Sequence, residues 1–176
     1  MPGDKPAPGS TLGPPRPAGR IPIKDRVDPG PGALVSVNER GEPPVGKDRV
    51  FQLTKPTLDA FRALRARALA TGFRADLFVL TSAYRSAVYQ AQLAADAVTK
   101  YGTKEQASTW VAQGRSEHIT GRAIDLNLGL ANTSENAKAG NFNGMPAYIW
   151  VRDNAADFGF NPYSDEPWHW SYNVKR

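Results

Sequence analysis

The chain of 176 residues contains no cysteine and only two histidines. The absence of cysteine excludes disulfide bonds, thiolate zinc fingers and cysteine nucleophiles. It is compatible with the cytoplasm and with an oxidising exterior, so the compartment stays open. No apolar run approaches the roughly 20 residues that a membrane-spanning helix needs. Residues 1–20 lack the apolar stretch of a Sec signal peptide, so export would need another route, a signal missing from this sequence or release by lysis.

The charge is modest and spread along the chain, with a formal net charge of +5. Such a balance suits either a mildly basic surface or an anionic partner such as a cell wall. No block of lysine and arginine alternates with aromatic residues, so we do not expect a nucleic acid partner. We expect one globular domain that acts as a monomer.

Proline and glycine are concentrated at the start of the chain, where residues 1–32 hold nine of the fifteen prolines and six of the sixteen glycines. These residues include few large apolar side chains, which could not offset the entropy lost on ordering. We therefore predict that residues 1–45 form a disordered or extended tail and that residues 46–176 form a single folded domain.

Within that domain, the hydrophobic spacing predicts an α+β fold. Leu58, Phe61, Leu64 and Ala68 recur at helical spacing in a helix predicted over residues 56–71. Further helices are predicted over residues 86–101, 103–112 and 146–158. Short strands are predicted over residues 77–81, 122–128 and 168–174, and residues 129–144 are predicted as a loop. Because these strands and helices do not alternate regularly, a doubly wound parallel sheet is disfavoured.

Both histidines lie beside acidic residues, in the stretches SEHITGRAID (residues 116–125) and DEPWHW (residues 165–170). A catalytic zinc ion usually takes three protein ligands and leaves one position for water. His118, Asp125 and His169 supply such a set, and Gly121 permits a tight reversal between the first two. The alternative is a pair of structural histidines with no metal.

Glu166 lies three residues before His169 and is a spare carboxylate beside the expected metal. Such a group is the usual general base, which takes a proton from water and passes it to the leaving amine. We predict this role for Glu166.

Taken together, the motifs resemble the zinc D-alanyl-D-alanine carboxypeptidases of the vancomycin-resistance (VanY) type, within the D-Ala-D-Ala metallopeptidase and hedgehog-like group. The resemblance rests on S-x-H-x-x-G-x-A-x-D followed by E-P-W-H-W, on the segment SAYRS (residues 82–86) with Gln90, and on NAADFGF (residues 154–160). It runs from about Leu77 to Tyr172. Ala83 departs from the family's usual glycine.

The resemblance implies a small antiparallel sheet flanked by helices, in a fold like that of hedgehog domains and D,D-peptidases, with residues 46–176 as the catalytic domain. It implies one zinc ion per chain, with His118, Asp125 and His169 as ligands. Glu166 and Arg85 are the implied catalytic residues, and Arg85 would stabilise charge on the carbonyl oxygen. The predicted substrate contacts are Ser116, Gln90, Tyr84 and Trp168, with packing as the alternative for the two aromatic residues.

The activity implied by the resemblance is removal of the terminal D-Ala from peptidoglycan stem peptides, at the bacterial cell wall or periplasm. One alternative is an endopeptidase that cuts an L-Ala-D-Glu bond or a cross-bridge, as in a phage lysin or a secreted antibacterial effector. A more distant alternative is a zinc-bearing module that binds the wall without catalysis. Glu166 argues against the last, because a binding site needs no base beside its metal.

Overall fold

The structure is a computed structural model that describes residues 16–37, 50–108 and 116–175. Its strands are β1 (Arg16–Pro17), β2 (Leu34–Ser36), β3 (Gln52–Thr54), β4 (Leu80–Ser82), β5 (Ala123–Leu126), β6 (Phe160–Pro162), β7 (His169–Tyr172) and β8 (Val174–Lys175). Its α-helices are α1 (Lys55–Ala70), α2 (Ala87–Tyr101), α3 (Lys104–Ala107), α4 (Ser134–Lys138) and α5 (Pro146–Asn154). None of the described helices is long and apolar enough to span a bilayer.

The central sheet is antiparallel and has the strand order β4-β5-β7-β6. Helix α1 packs its buried face, which carries Leu58, Phe61 and Leu64, into the same apolar core as Trp170 of β7. This spacing is the one that the sequence predicted, and α1 differs from the predicted bounds by one residue at each end. The predicted α+β class, with a small antiparallel sheet and flanking helices, is confirmed.

Three predicted stretches differ in detail. The helix predicted over residues 103–112 ends at Ala107, and residues 109–112 of that prediction lie outside the described residues. The strand expected over residues 77–81 begins at Leu80, because Phe78 has a positive φ of 56° and its N–H bonds to the Asn127 carbonyl. The segment predicted as a loop, residues 129–144, contains α4 and a 3-10 turn at Asn141–Gly144. Thr133 caps α4 by accepting from the Asn136 N–H, and this cap was not predicted from the sequence.

The N-terminal segment, residues 16–37, lies against the domain. β1 pairs with β8 and β2 pairs with β3, while Ile21 is fully buried. Main-chain hydrogen bonds to the domain supply the contacts that its sparse apolar side chains could not. This part of the predicted tail is therefore extended and packed, whereas residues 1–15 and the proposed boundary after residue 45 lie outside the described residues.

Candidate active site

His118 occupies a short 3-10 turn, Glu117–Thr120, that leads into β5. Ser116 caps this turn by accepting from the His118 N–H, and Gly121 ends it in the left-handed conformation at φ 65°. The His118 ring is buried, with Nδ1 2.7 Å from the Ala83 carbonyl oxygen. Because a carbonyl only accepts, Nδ1 carries the proton. His118 Nε2 is then a buried lone pair without a hydrogen-bond donor, 3.3 Å from Asp125 Oδ1.

Strand register brings the second pair of residues together. Asp125 on β5 lies directly opposite His169 on β7, and Asp125 Oδ1 is 3.0 Å from His169 Nδ1. The two imidazole centroids are 4.9 Å apart. One ligand atom from each of His118, Asp125 and His169 lies within 4.8 Å of the others. We call these three residues the metal-ligand cluster.

Burial and the neighbouring charges shift the pKa values of all three members of the cluster. Burial lowers the pKa of the His118 imidazole and outweighs the opposing effect of Asp125. Burial opposes ionisation of Asp125, but the two imidazoles outweigh it and hold the pKa of this carboxyl well below its usual range. Burial also lowers the pKa of His169, yet hydrogen bonds to Asp125 and Glu117 prevail and raise that pKa to about 9.

The donor set of the cluster fits a zinc ion. Two imidazole nitrogens and one carboxylate oxygen converge, which is a ligand set that zinc takes at catalytic centres. Among the described residues, His118 Nε2 receives no hydrogen bond and lies 3.3 Å from Asp125 Oδ1, which suits two atoms that bind the same cation.

Glu117, next to His118, contacts the metal-ligand cluster, although the sequence did not single it out. Its side chain is fully buried, and its Oε2 lies 3.0 Å from His169 Nε2. Burial would raise the pKa of Glu117, but hydrogen bonds from His169 and Arg20 hold it well below its usual range. A carboxylate that receives the outer N–H of a metal-ligating histidine fixes the orientation of that ring. In the sequence, the only indication of this contact is the position of Glu117 next to His118.

The two predicted catalytic residues flank the cluster. Glu166 Oε2 lies 3.9 Å from His169 Nδ1, and 45% of the Glu166 side chain is exposed at the rim. Burial raises the pKa of the Glu166 carboxyl. Arg85 follows β4 and has Nη2 3.9 Å from Asp125 Oδ2. These contacts place a carboxylate and a guanidinium each within 4 Å of a member of the cluster.

One cavity of about 1070 Å³ contains the cluster, and Ser116, Arg85, Glu166 and Trp168 are among the residues that line it. Trp168 also packs against Phe142, at 5.6 Å between ring centroids.

The other two predicted substrate contacts, Gln90 and Tyr84, are not among the residues that line this cavity. Gln90 is buried, and its Oε1 accepts from Arg85 Nη1 at 3.2 Å, so it holds Arg85 in position. Tyr84 donates its hydroxyl to Asp28 Oδ2 at 2.8 Å and lines a neighbouring cavity of about 430 Å³. Burial and Asp28 raise the pKa of Tyr84 to about 12.

The fold and the site together define a metallopeptidase. A sequence model of the VanY family, described as D-alanyl-D-alanine carboxypeptidase, matches residues 50–175. The chain therefore belongs to the VanY family and is a peptidase of peptidoglycan. Among curated protein sequences, none matches it significantly.

Solved structures agree with this assignment. The LdcB LD-carboxypeptidase is 28% identical, with a TM-score of 0.66 over 83% of this chain and 70% of that one. VanYB in complex with D-Ala-D-Ala is 28% identical, with a TM-score of 0.52 over 78% of this chain and 84% of that one. A Zn(II) complex of the vancomycin-resistance D,D-pentapeptidase VanY is 27% identical, with a TM-score of 0.50 over 72% and 75%.

Proposed function

We propose that this protein is a zinc-dependent carboxypeptidase that removes the terminal D-Ala from a D-Ala-D-Ala stem peptide. The observation that carries the proposal is the metal-ligand cluster, flanked by Glu166 and Arg85 in one cavity. Membership in the VanY family supports the substrate class.

Zinc, Glu166 and Arg85 have different roles in the proposed hydrolysis. Zinc, when held by His118, Asp125 and His169, would polarise the scissile carbonyl and promote ionisation of water. Glu166 takes the proton from the attacking water and then donates it to the leaving amine. The guanidinium of Arg85 stabilises negative charge on the carbonyl oxygen of the tetrahedral intermediate.

The cavity wall provides the remaining substrate contacts. Ser116 and Trp168 are proposed to contact the peptide, and both line the cavity. Gln90 is proposed to act through Arg85, to which it is hydrogen-bonded. The role of Tyr84 as a substrate contact would require binding in the neighbouring cavity.

A second candidate is an endopeptidase that cuts within a stem peptide or a cross-bridge. The two cavities share Thr81, Ser82, Arg85 and Asp125 in their walls, so the second cavity adjoins the one that contains the metal-ligand cluster. A second cavity beside the cluster suits a substrate that extends on both sides of the scissile bond.

The deciding experiment is incubation of the zinc-loaded protein with purified muropeptides, followed by mass spectrometry of the products. The proposal predicts that a pentapeptide stem loses one alanine and that a tetrapeptide stem is left intact. Loss of the last residue from the tetrapeptide alone would instead indicate an L,D-carboxypeptidase. A cut inside the stem or a cross-bridge would establish the endopeptidase, and no product from any substrate would contradict both candidates.

A further inference from the structure

We infer that the N-terminal segment helps to organise the metal site, because Arg20 holds the Glu117 carboxylate and Glu117 orients the His169 ring. Arg20 and Glu117 are positioning residues in this inference, since neither belongs to the metal-ligand cluster. The inference rests on the proposed zinc site, but it does not depend on which peptide bond is cut.

Glu117 is held mainly by the N-terminal segment. Arg20 donates from Nε and Nη2 to Glu117 Oε2, at 3.1 and 2.9 Å. The Ile21 N–H donates to Glu117 Oε1 at 2.7 Å, and Arg26 Nη2 lies 3.6 Å from the same oxygen. A fully buried carboxylate is unfavourable unless charged and hydrogen-bonding groups compensate it. Arg20 is the closest such cation among the described residues.

The same Oε2 atom that receives Arg20 also faces His169 Nε2 at 3.0 Å. Because a carboxylate only accepts, Nε2 is the ring nitrogen that donates to Glu117, and Nδ1 is the ring nitrogen that faces the cluster. The guanidinium therefore fixes the carboxylate, and the carboxylate fixes the ring. Without Arg20, Oε2 would lose the two hydrogen bonds that hold it beside His169, while Oε1 would keep its contacts with Ile21 and Arg26.

Arg20 is itself fixed on both sides. Its guanidinium carbon lies 3.6 Å from the centroid of the Tyr163 ring, which favours a cation over the aromatic face. The neighbouring Gly19 donates its N–H to Asn161 Oδ1 at 2.7 Å and accepts from Asn173 Nδ2 at 3.0 Å. The N-terminal segment therefore delivers a pre-positioned cation to the metal site.

The experiment measures the zinc affinity of the full-length protein by competition with a chromophoric chelator at one pH. Arg20→Met keeps an apolar stem over Tyr163 and removes the cation, and Glu117→Gln keeps the size of the side chain and removes the charge. Arg152→Met is the matched control, because Arg152 Nε pairs with Asp153 at 2.8 Å on an exposed surface. Circular dichroism and the unfolding midpoint of the metal-free protein verify folding.

We expect Arg20→Met and Glu117→Gln each to weaken zinc binding by about 10- to 100-fold, as is typical when an outer partner of a ligating histidine is lost. Arg20→Lys should recover part of this loss, and Arg152→Met should bind zinc as the unmodified protein does. If Arg20 acts through Glu117, the double variant should bind zinc no more weakly than Glu117→Gln alone.

Zinc affinities of folded Arg20→Met and Glu117→Gln within twofold of the unmodified protein would overturn the inference. So would a double variant whose loss equals the product of the two single losses. Should Arg20→Met fail to fold, Arg20→Gln, which also removes the cation, replaces it beside Glu117→Gln and the same control. Because no readout uses peptide hydrolysis, a wrong substrate assignment would leave this test intact.

Discussion

Replacement of Asn161 by alanine tests whether one buried amide joins the N-terminal segment to the sheet. Asn161 is 4% exposed. Its Nδ2 lies 3.0 Å from the Ser171 and Asn173 carbonyl oxygens and 3.3 Å from that of Gly159, while its Oδ1 accepts from the Gly19 N–H at 2.7 Å. Alanine would remove every one of these bonds, although the Gly159 and Asn173 carbonyls would each keep a main-chain donor.

The expected loss follows from the number of well-formed bonds. Two amide hydrogens serve three carbonyls, so about three bonds count fully, each with a net value of about 1 kcal/mol. We therefore expect Asn161→Ala to lower the free energy of unfolding by about 2–4 kcal/mol, out of the roughly 5–15 kcal/mol typical of a domain. For a chain of this length, that corresponds to a fall in Tm of about 4–16 °C.

Urea denaturation of the metal-free protein measures this loss without a contribution from zinc binding. Asn141→Ala is the matched control, because Asn141 makes one exposed bond, to Asn136, and should change stability by less than about 0.5 kcal/mol. Asn161→Asp should be at least as damaging as alanine, since its carboxylate would face three carbonyl oxygens. A loss below about 1 kcal/mol for Asn161→Ala, or a milder effect of Asp than of Ala, would refute the reasoning.

Three further predictions concern the site and its frame. Glu166→Gln should retain stoichiometric zinc and lower kcat for stem-peptide hydrolysis by about 10²- to 10⁴-fold, since a general base is lost. Elemental analysis measures the zinc and a product assay measures the turnover. Near-normal turnover would contradict the role of Glu166. Zinc affinity should rise as the pH increases from 6 to 9 and then level off, because His169, with its pKa raised to about 9, must lose a proton to bind metal. A flat affinity profile from chelator competition would contradict that sign. Gly159→Ala should destabilise the fold by about 2 kcal/mol or more in urea denaturation, because Gly159 has a φ of 81° and a Cβ there would lie 2.5 Å from Val174 Cγ1. An unchanged midpoint would contradict this account.

Local chemistry explains which elements the sequence predicted well. The apolar spacing predicted for α1 is present in the structure, and α3 begins within one residue of its predicted start, where Thr103 and Gln106 form a capping box. Each depends on residues a few positions apart, so a single sequence contains the information. The short helix α4 and the positive φ of Phe78 were missed, because short-range patterns give little indication of either.

The candidate site was predictable as far as residue chemistry allowed. His118, Asp125 and His169 could be chosen because histidine is rare in this chain and two imidazoles with a carboxylate suit zinc. Their convergence depends on the pairing of Asp125 with His169 across two strands, which composition does not specify. Roles that pass through another side chain, such as those of Glu117 and Arg20, depend entirely on tertiary contacts.

The long sequence separations of the N-terminal segment set the order in which the site can be completed. Arg20 is 97 residues from Glu117, and Gly19 is 142 residues from Asn161 and 154 from Asn173. During synthesis the segment is made before these partners. The contacts of Gly19 with Asn161 and Asn173 can therefore form only after β6 and β7 have been made, although β2 can pair with β3 much earlier. The hydrogen bonds that place Arg20 beside Glu117 are thus completed late in the folding of this domain, and the environment of His169 matures with them.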